Sequence, residues 1–130
     1  MISSQVGITM DLTATILAAA GAQLPAAYRP EGIDLLPPLQ KGTVIDRTLF
    51  WRTTRQKAVR RGQWKYLDDG SNATSGFEFL FDLRSDRGER HDLASSNPKL
   101  VAELRGLVEK WEADVNAEAK LLPTPPKTPE

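Results

Sequence analysis

The spacing of apolar and polar positions changes period along this chain. Leu12, Ile16, Leu17 and Ala20 recur at helical intervals behind Asp11, a residue suited to an N-cap, and Gly21 suits the left-handed position beyond a helix end. That spacing predicts a short helix over 11–20. From 23 to 42 the prolines Pro25, Pro30, Pro37 and Pro38 interrupt every regular pattern. A stretch of roughly twenty residues with no element of its own is uncommon inside a self-contained domain, so this one is expected to lie against something larger. The period then shortens to two. Runs rich in aromatic and β-branched residues at 48–53, 57–60 and 64–67 read as short strands, with Gly62 at a hairpin turn. The clearest strand is 77–83, where Phe77, Phe79, Phe81 and Leu83 alternate with Glu78, Leu80 and Asp82, which predicts that the Phe side is the buried face. The stretch between Trp64 and this strand, DDGSNATSG, reads as loop in every residue.

The helical period returns at the end of the chain. Asn97 is placed to cap, Pro98 suits the first helical position, and Leu100, Val101, Leu104, Leu107, Val108, Trp111 and Val115 keep one apolar stripe. Lys99, Glu103, Arg105, Glu109, Lys110 and Glu112 form an outer face expected to be solvated. These elements predict an α+β fold: an antiparallel sheet of about four strands packed against a C-terminal amphipathic helix, with an N-terminal helix and a long proline-rich loop. The expected organisation is one subdomain over 1–120, divided into an N-terminal helix and connection at 1–45, a sheet at 46–95 and a helix at 96–120. A proline-rich tail follows at 121–130.

Composition narrows the chemistry. At 130 residues the chain is about one domain, and with Lys+Arg and Asp+Glu both at 17 its net charge selects no partner. The absence of cysteine removes disulfides, thiolate metal clusters and cysteine nucleophiles, and His91 as the sole histidine removes most histidine-based metal sites. The apolar run Ile16–Ala20 is too short for a membrane span, which needs about 20 residues. No basic residue precedes it, as a signal peptide requires, and the opening reads as the interior of a longer protein.

Two clusters invite a functional reading. In FEFLFDLRSDRGERHDL, the acids Asp82, Asp86, Glu89 and Asp92 stand with His91 in one loop. Their spacing is not that of a calcium loop, and Arg84, Arg87 and Arg90 are interleaved where a cation would be repelled. A turn whose acids accept backbone N–H bonds accounts for them better. His91 lacks a recognisable nucleophile and orienting partner, and reads as a surface residue. The second cluster is basic: Arg47, Arg52, Arg55, Lys57, Arg60, Arg61 and Lys65 are opposed within 47–65 by no acid, and Trp51 and Trp64 lie among them. Such a pattern fits a hairpin with solvated charges, an oxyanion-binding rim, or a nucleic-acid surface. Glycine-rich phosphate loops, HExxH and paired CxxC are absent. Asn72-Ala-Thr is a glycosylation triplet, meaningful only in a glycosylating compartment.

Four segments in order resemble the sulfatase family. MDLTATILAAAG resembles its D-x-x-P-T-hydrophobic-hydrophobic-x-x-A-G segment through Asp11, Thr15 and Gly21, with Ala14 where proline is usual. EGIDLLPPLQKG resembles D-G-x-S-L-x-P-L-L-x-G through Gly32, Leu35, Pro37, Leu39 and Gly42, with Glu31 for the acid. LFWRTTRQKAVRRGQWKYL resembles a strand pair ending a-V-R-x-G-x-W-K, through Ala58, Val59, Arg60, Gly62, Trp64 and Lys65. FLFDLRSDRGERHDLA resembles L-Y-D-L-x-x-D-P-x-E-x-x-N-L-A through Leu80, Asp82, Leu83, Asp86, Glu89, Leu93 and Ala94, with Phe81, Arg87 and Asp92 replacing tyrosine, proline and asparagine.

The resemblance is to the C-terminal region of a sulfatase, and implies a small sheet-and-helix subdomain that docks onto a large α/β catalytic domain. It implies a parent that hydrolyses sulfuric esters with a formylglycine, made from the Cys or Ser of a C/S-x-P-x-R motif, beside a divalent cation such as calcium. Ser96-Asn97-Pro98-Lys99-Leu100 imitates that motif but has Leu100 where arginine is required, so no catalytic or metal residue of the family maps onto this chain. The chain alone is expected to be inactive. Its expected contribution is a wall of the substrate cleft, with Trp51, Arg52, Arg55 and Lys57 touching a sulfated or otherwise anionic substrate. Self-association through an exposed docking face is a further expectation. The alternative is a stand-alone anion- or nucleic-acid-binding module using the basic strands at 47–65.

Overall fold

A computed structural model describes residues 3–25, 28, 30–70 and 77–120. The Asn72 triplet, most of the DDGSNATSG loop and the proline-rich tail lie outside the described residues. Seven elements follow in order: α1 (Thr9–Ala19), α2 (Leu36–Lys41), β1 (Thr48–Arg52), β2 (Gln56–Arg61), β3 (Trp64–Asp69), β4 (Phe77–Asp82) and α3 (Pro98–Ala119). The expected α+β class is what forms. The chain divides into two compact units, residues 1–49 and 50–130.

The sheet runs in the order β1-β2-β3-β4, and β3 pairs antiparallel with both β2 and β4. Gly62 takes φ 58° at the β2–β3 hairpin, a conformation that side-chain-bearing residues resist. Register places Val59 opposite Tyr66, and Tyr66 opposite Leu80. These three residues share one face of the sheet and pack against Val101, Leu104 and Val108 of α3 in a single buried cluster. The helix forms there because an apolar stripe at 3.6-residue spacing meets a strand face at two-residue spacing, and each hides what the other exposes.

Strand β4 buries a residue on each of its faces, Leu80 on one and Phe81 on the other, where its alternation predicts one buried face. Leu80 is fully buried under α3, whereas Phe77, Phe79 and Phe81 point to the other side, where burial falls off from Phe81 at 6% exposed to Phe77 at 52%. The Phe residues stack along their own strand, with centroids of Phe79 and Phe81 6.1 Å apart. Alternation counts apolar residues on each side and does not show that the helix covers the side of the single leucine. Strand β3 also runs further than expected, through Asp68 and Asp69.

At the start of α3, Asn97 occupies the cap position but makes no side-chain cap bond; its amide donates instead to the Leu93 carbonyl. Three members of the expected solvated face reach back to the sheet: Glu103 to Arg61, Arg105 to Glu78 and Glu112 to Lys57. Tyr66, 1% exposed, donates its hydroxyl proton to Glu78 at 2.5 Å, and Arg105 grips the same carboxylate through both oxygens. Burial first, and then the neighbouring Glu78 charge, push the Tyr66 phenol well above its ordinary range. The Arg105 guanidinium holds Glu78 below the usual carboxylate range.

In the N-terminal unit, α1 begins two residues before the sequence pattern suggests. Ile8 is the N-cap, and Asp11 caps from the third helical position by accepting the Ile8 N–H at 2.8 Å. Gly21 follows the helix with φ 62° as expected. The proline-rich connection is not without structure, because Pro37 and Pro38 open the short helix α2 at positions whose N–H groups need no intrahelical partner. Asp11 is fully buried and is the hub of this unit: its carboxylate also accepts the Ile33 N–H at 3.0 Å and an Arg47 guanidinium N–H at 2.7 Å.

Candidate functional site

The acid-rich loop after β4 is built as a turn. Asp82 accepts the Arg84 N–H, Asp86 accepts those of Arg90 and His91, and Asp92 accepts those of Leu80 and Ala94. Backbone donation from His91 leads the effects that hold Asp86 below the ordinary aspartate range. The His91 side chain is 81% exposed. Glu89 differs from the other acids. It takes φ 53°, in the left-handed region that non-glycine residues avoid, and both of its oxygens accept from the Lys65 ammonium at 2.6 and 2.7 Å. Among the described residues, no group of three or more His, Asp or Glu side chains is placed to hold a metal ion.

The basic segment is neutralised from outside itself. Arg47 pairs with Asp11, Lys57 with Glu112 at 2.6 Å, Arg61 with Glu103 at 2.8 Å, and Lys65 with Glu89. Arg52 donates to Asn116 at 2.8 Å, approaches Glu112 at 3.5 Å and lies 6.0 Å from the Trp111 ring, which stacks on Phe50. Lys57 is the main cause holding Glu112 below the usual carboxylate range. Among the described residues, Arg55 and Arg60 are the basic side chains of 47–65 that no carboxylate pairs.

The sheet separates the four expected substrate contacts. Arg52 and Lys57 carry their charges to the α3 side, where Glu112 receives both. Trp51 alternates to the opposite face, is 38% exposed, and lines a pocket of about 370 Å³ with Gln56, Arg60, Lys65, Leu67 and Glu89, a pocket that Lys57 also lines although its ammonium pairs with Glu112. Arg55 sits in the bend between β1 and β2, where its carbonyl accepts the Gly70 N–H. Trp51 and Arg60 thus share a surface that neither shares with Arg52. Sequence spacing missed Arg60, Lys65 and Glu89 as a group. Parity would have found the first two, since Arg60 and Lys65 face each other across β2 and β3; Glu89 arrives from a loop that no periodicity describes.

Sheet, covering helix and four ordered motifs define an α+β subdomain whose motifs resemble those of sulfatases. No family model matches the chain. The chain is 36% identical over 84 residues to N-acetylgalactosamine-6-sulfatase of Mus musculus, which covers 60% of this chain and 16% of that enzyme. In structure it is similar to Ps i-CgsB in complex with k-i-k-neocarrahexaose, with TM-score 0.64, 28% identity, and coverage of 78% of this chain and 23% of that one. It is likewise similar to a Bacteroides thetaiotaomicron protein of a core genetic locus for metabolism of multiple glycosaminoglycans, with TM-score 0.61, 25% identity, and coverage of 79% and 24%. The chain therefore spans about a sixth to a quarter of the length of these relatives. These likenesses bear out the resemblance to the C-terminal region of a sulfatase.

Proposed function

We propose that the chain is the C-terminal subdomain of a sulfatase, residues 1–120 acting together, and that it forms part of the wall of a substrate cleft without contributing catalytic groups. The observation that carries this reading is the fold likeness over 78% of the chain, in company with the four motifs in order. The partner is the α/β catalytic domain, which supplies the formylglycine and the divalent cation. The substrate is a sulfated or otherwise anionic saccharide, in keeping with the sulfatase relatives. Trp51, Arg52, Arg55 and Lys57 are the wall residues. Arg55 offers a guanidinium that no carboxylate among the described residues pairs, while Arg52 and Lys57 would have to share Glu112 with the substrate.

Alone, the chain should release no sulfate from an aryl sulfate or a sulfated hexosamine. In the whole sulfatase, Arg52→Ala with Arg55→Ala should raise KM for anionic saccharides more than it lowers kcat, because the wall holds substrate away from the reacting ester. Unchanged turnover of every anionic substrate would remove the wall role. A nucleic-acid module draws little support from a segment whose cations are mostly matched by carboxylates, since phosphate binding rests on cations free to displace counterions. Absence of a labelled-oligonucleotide shift at low salt is the expected result.

A further inference from the structure

The pocket on the sheet face away from α3 has the parts of a saccharide site. Its Arg60 and Lys65 are cross-strand partners, and two cations side by side repel unless something stands between them. Glu89 answers only Lys65, with both oxygens, from a left-handed backbone conformation that a turn alone would give to glycine. The Arg60 Nε donates to the Gly62 carbonyl at 3.2 Å, which turns the guanidinium and leaves its terminal N–H groups unmatched by any carboxylate among the described residues. The pocket is left with one surplus positive charge, already oriented. Beside it Trp51 presents a half-exposed indole.

We infer that this pocket binds one acidic hexose unit of an oligosaccharide, with its ring against Trp51, its sulfate or carboxylate on the Arg60 fork, and a hydroxyl between the Lys65 ammonium and the Glu89 carboxylate. A planar fork suits an oxyanion, an aromatic face suits the C–H face of a sugar ring, and a fixed donor–acceptor pair suits a hydroxyl. The choice of a saccharide rests on the proposed sulfatase reading; the position of the site does not, and it adds Arg60, Lys65 and Glu89 to the contact surface beside Trp51 and Lys57.

The test is calorimetric titration of the chain itself with a sulfated hexosamine tetrasaccharide, its desulfated counterpart, and inorganic sulfate. Saturable binding of the sulfated tetrasaccharide is expected, weaker for the desulfated form, and weaker by about tenfold or more in Arg60→Gln and in Trp51→Leu, a variant that keeps apolar bulk in β1. Arg84→Ala, in the exposed turn after β4, should bind as wild type. No binding, or equal losses in Arg84→Ala and Arg60→Gln with their folded circular dichroism intact, overturns the site. The turnover of Arg52 and Arg55 variants in the whole sulfatase is a separate measurement, so loss of the pocket and loss of the wall role are told apart.

Discussion

Asp11 is a fully buried carboxylate that ties the start of α1 to Ile33 and Arg47 within its unit. Burial by itself would raise its carboxyl, but the Arg47 hydrogen bond and the Ile33 and Ile8 amides outweigh burial and hold it below the ordinary aspartate value. A carboxyl lowered in the folded state adds stability above its unfolded value, about 3.9, and loses it as pH falls through the lower folded value. The N-terminal unit should therefore loosen below about pH 4, with the Ile8 and Ile33 amides losing hydrogen-exchange protection first. Asp11→Ala should abolish that protection at neutral pH and cost about 3–5 kcal/mol, because it strands the largely buried Arg47 charge. Unaltered exchange at both amides would contradict this. Asp11 could be read from the sequence as a capping residue, and it is one, but from the third helical position. Its bonds to Ile33 and Arg47 cross 22 and 36 residues, and no local pattern encodes them. The same holds for the basic segment, whose acids lie up to 60 residues away.

At the scale of elements, the packing of α3 on β2, β3 and β4 stabilises the sheet far more than the ion pairs around its edge. Leu104 is fully buried in the core cluster, and Leu104→Ala should cost about 2–5 kcal/mol in denaturant unfolding. A double-mutant cycle on Lys57 and Glu112, each about a quarter to a third exposed, should give a coupling of only about 0.2–1 kcal/mol. A coupling larger than the Leu104 loss would reverse this ranking. The strands and α3 were legible because their periods are strong and their turn and N-terminal signals, Gly62 and Pro98, sit where the geometry needs them. The helix-covered face of β4 was not. Which side of a strand is covered depends on where the helix lands, and Leu80 is chosen by its register with Tyr66 and Val59. Helix α2 was hidden by its own prolines, which break a helix inside it but are tolerated at its start.

For the whole molecule, the sheet is covered by α3 on one face and carries Trp51 and Phe77 partly exposed on the other. Among the described residues no helix is long and apolar enough to cross a membrane. The four motifs made the sulfatase resemblance legible without any catalytic residue, since they mark turns, a strand pair and a helix entry whose shapes recur. What they could not give was the side of the sheet on which ligand chemistry gathers, because that depends on which cations the fold has already matched with acids. The proposed role is tested most directly by restoring activity from parts. The chain is titrated into the α/β catalytic domain of the sulfatase it is proposed to complete, lacking this region, while sulfate release from a sulfated hexosamine is followed. The account predicts a saturable rise in turnover that neither part shows alone; turnover by the chain alone, or a catalytic domain indifferent to it at saturating concentration, would contradict it.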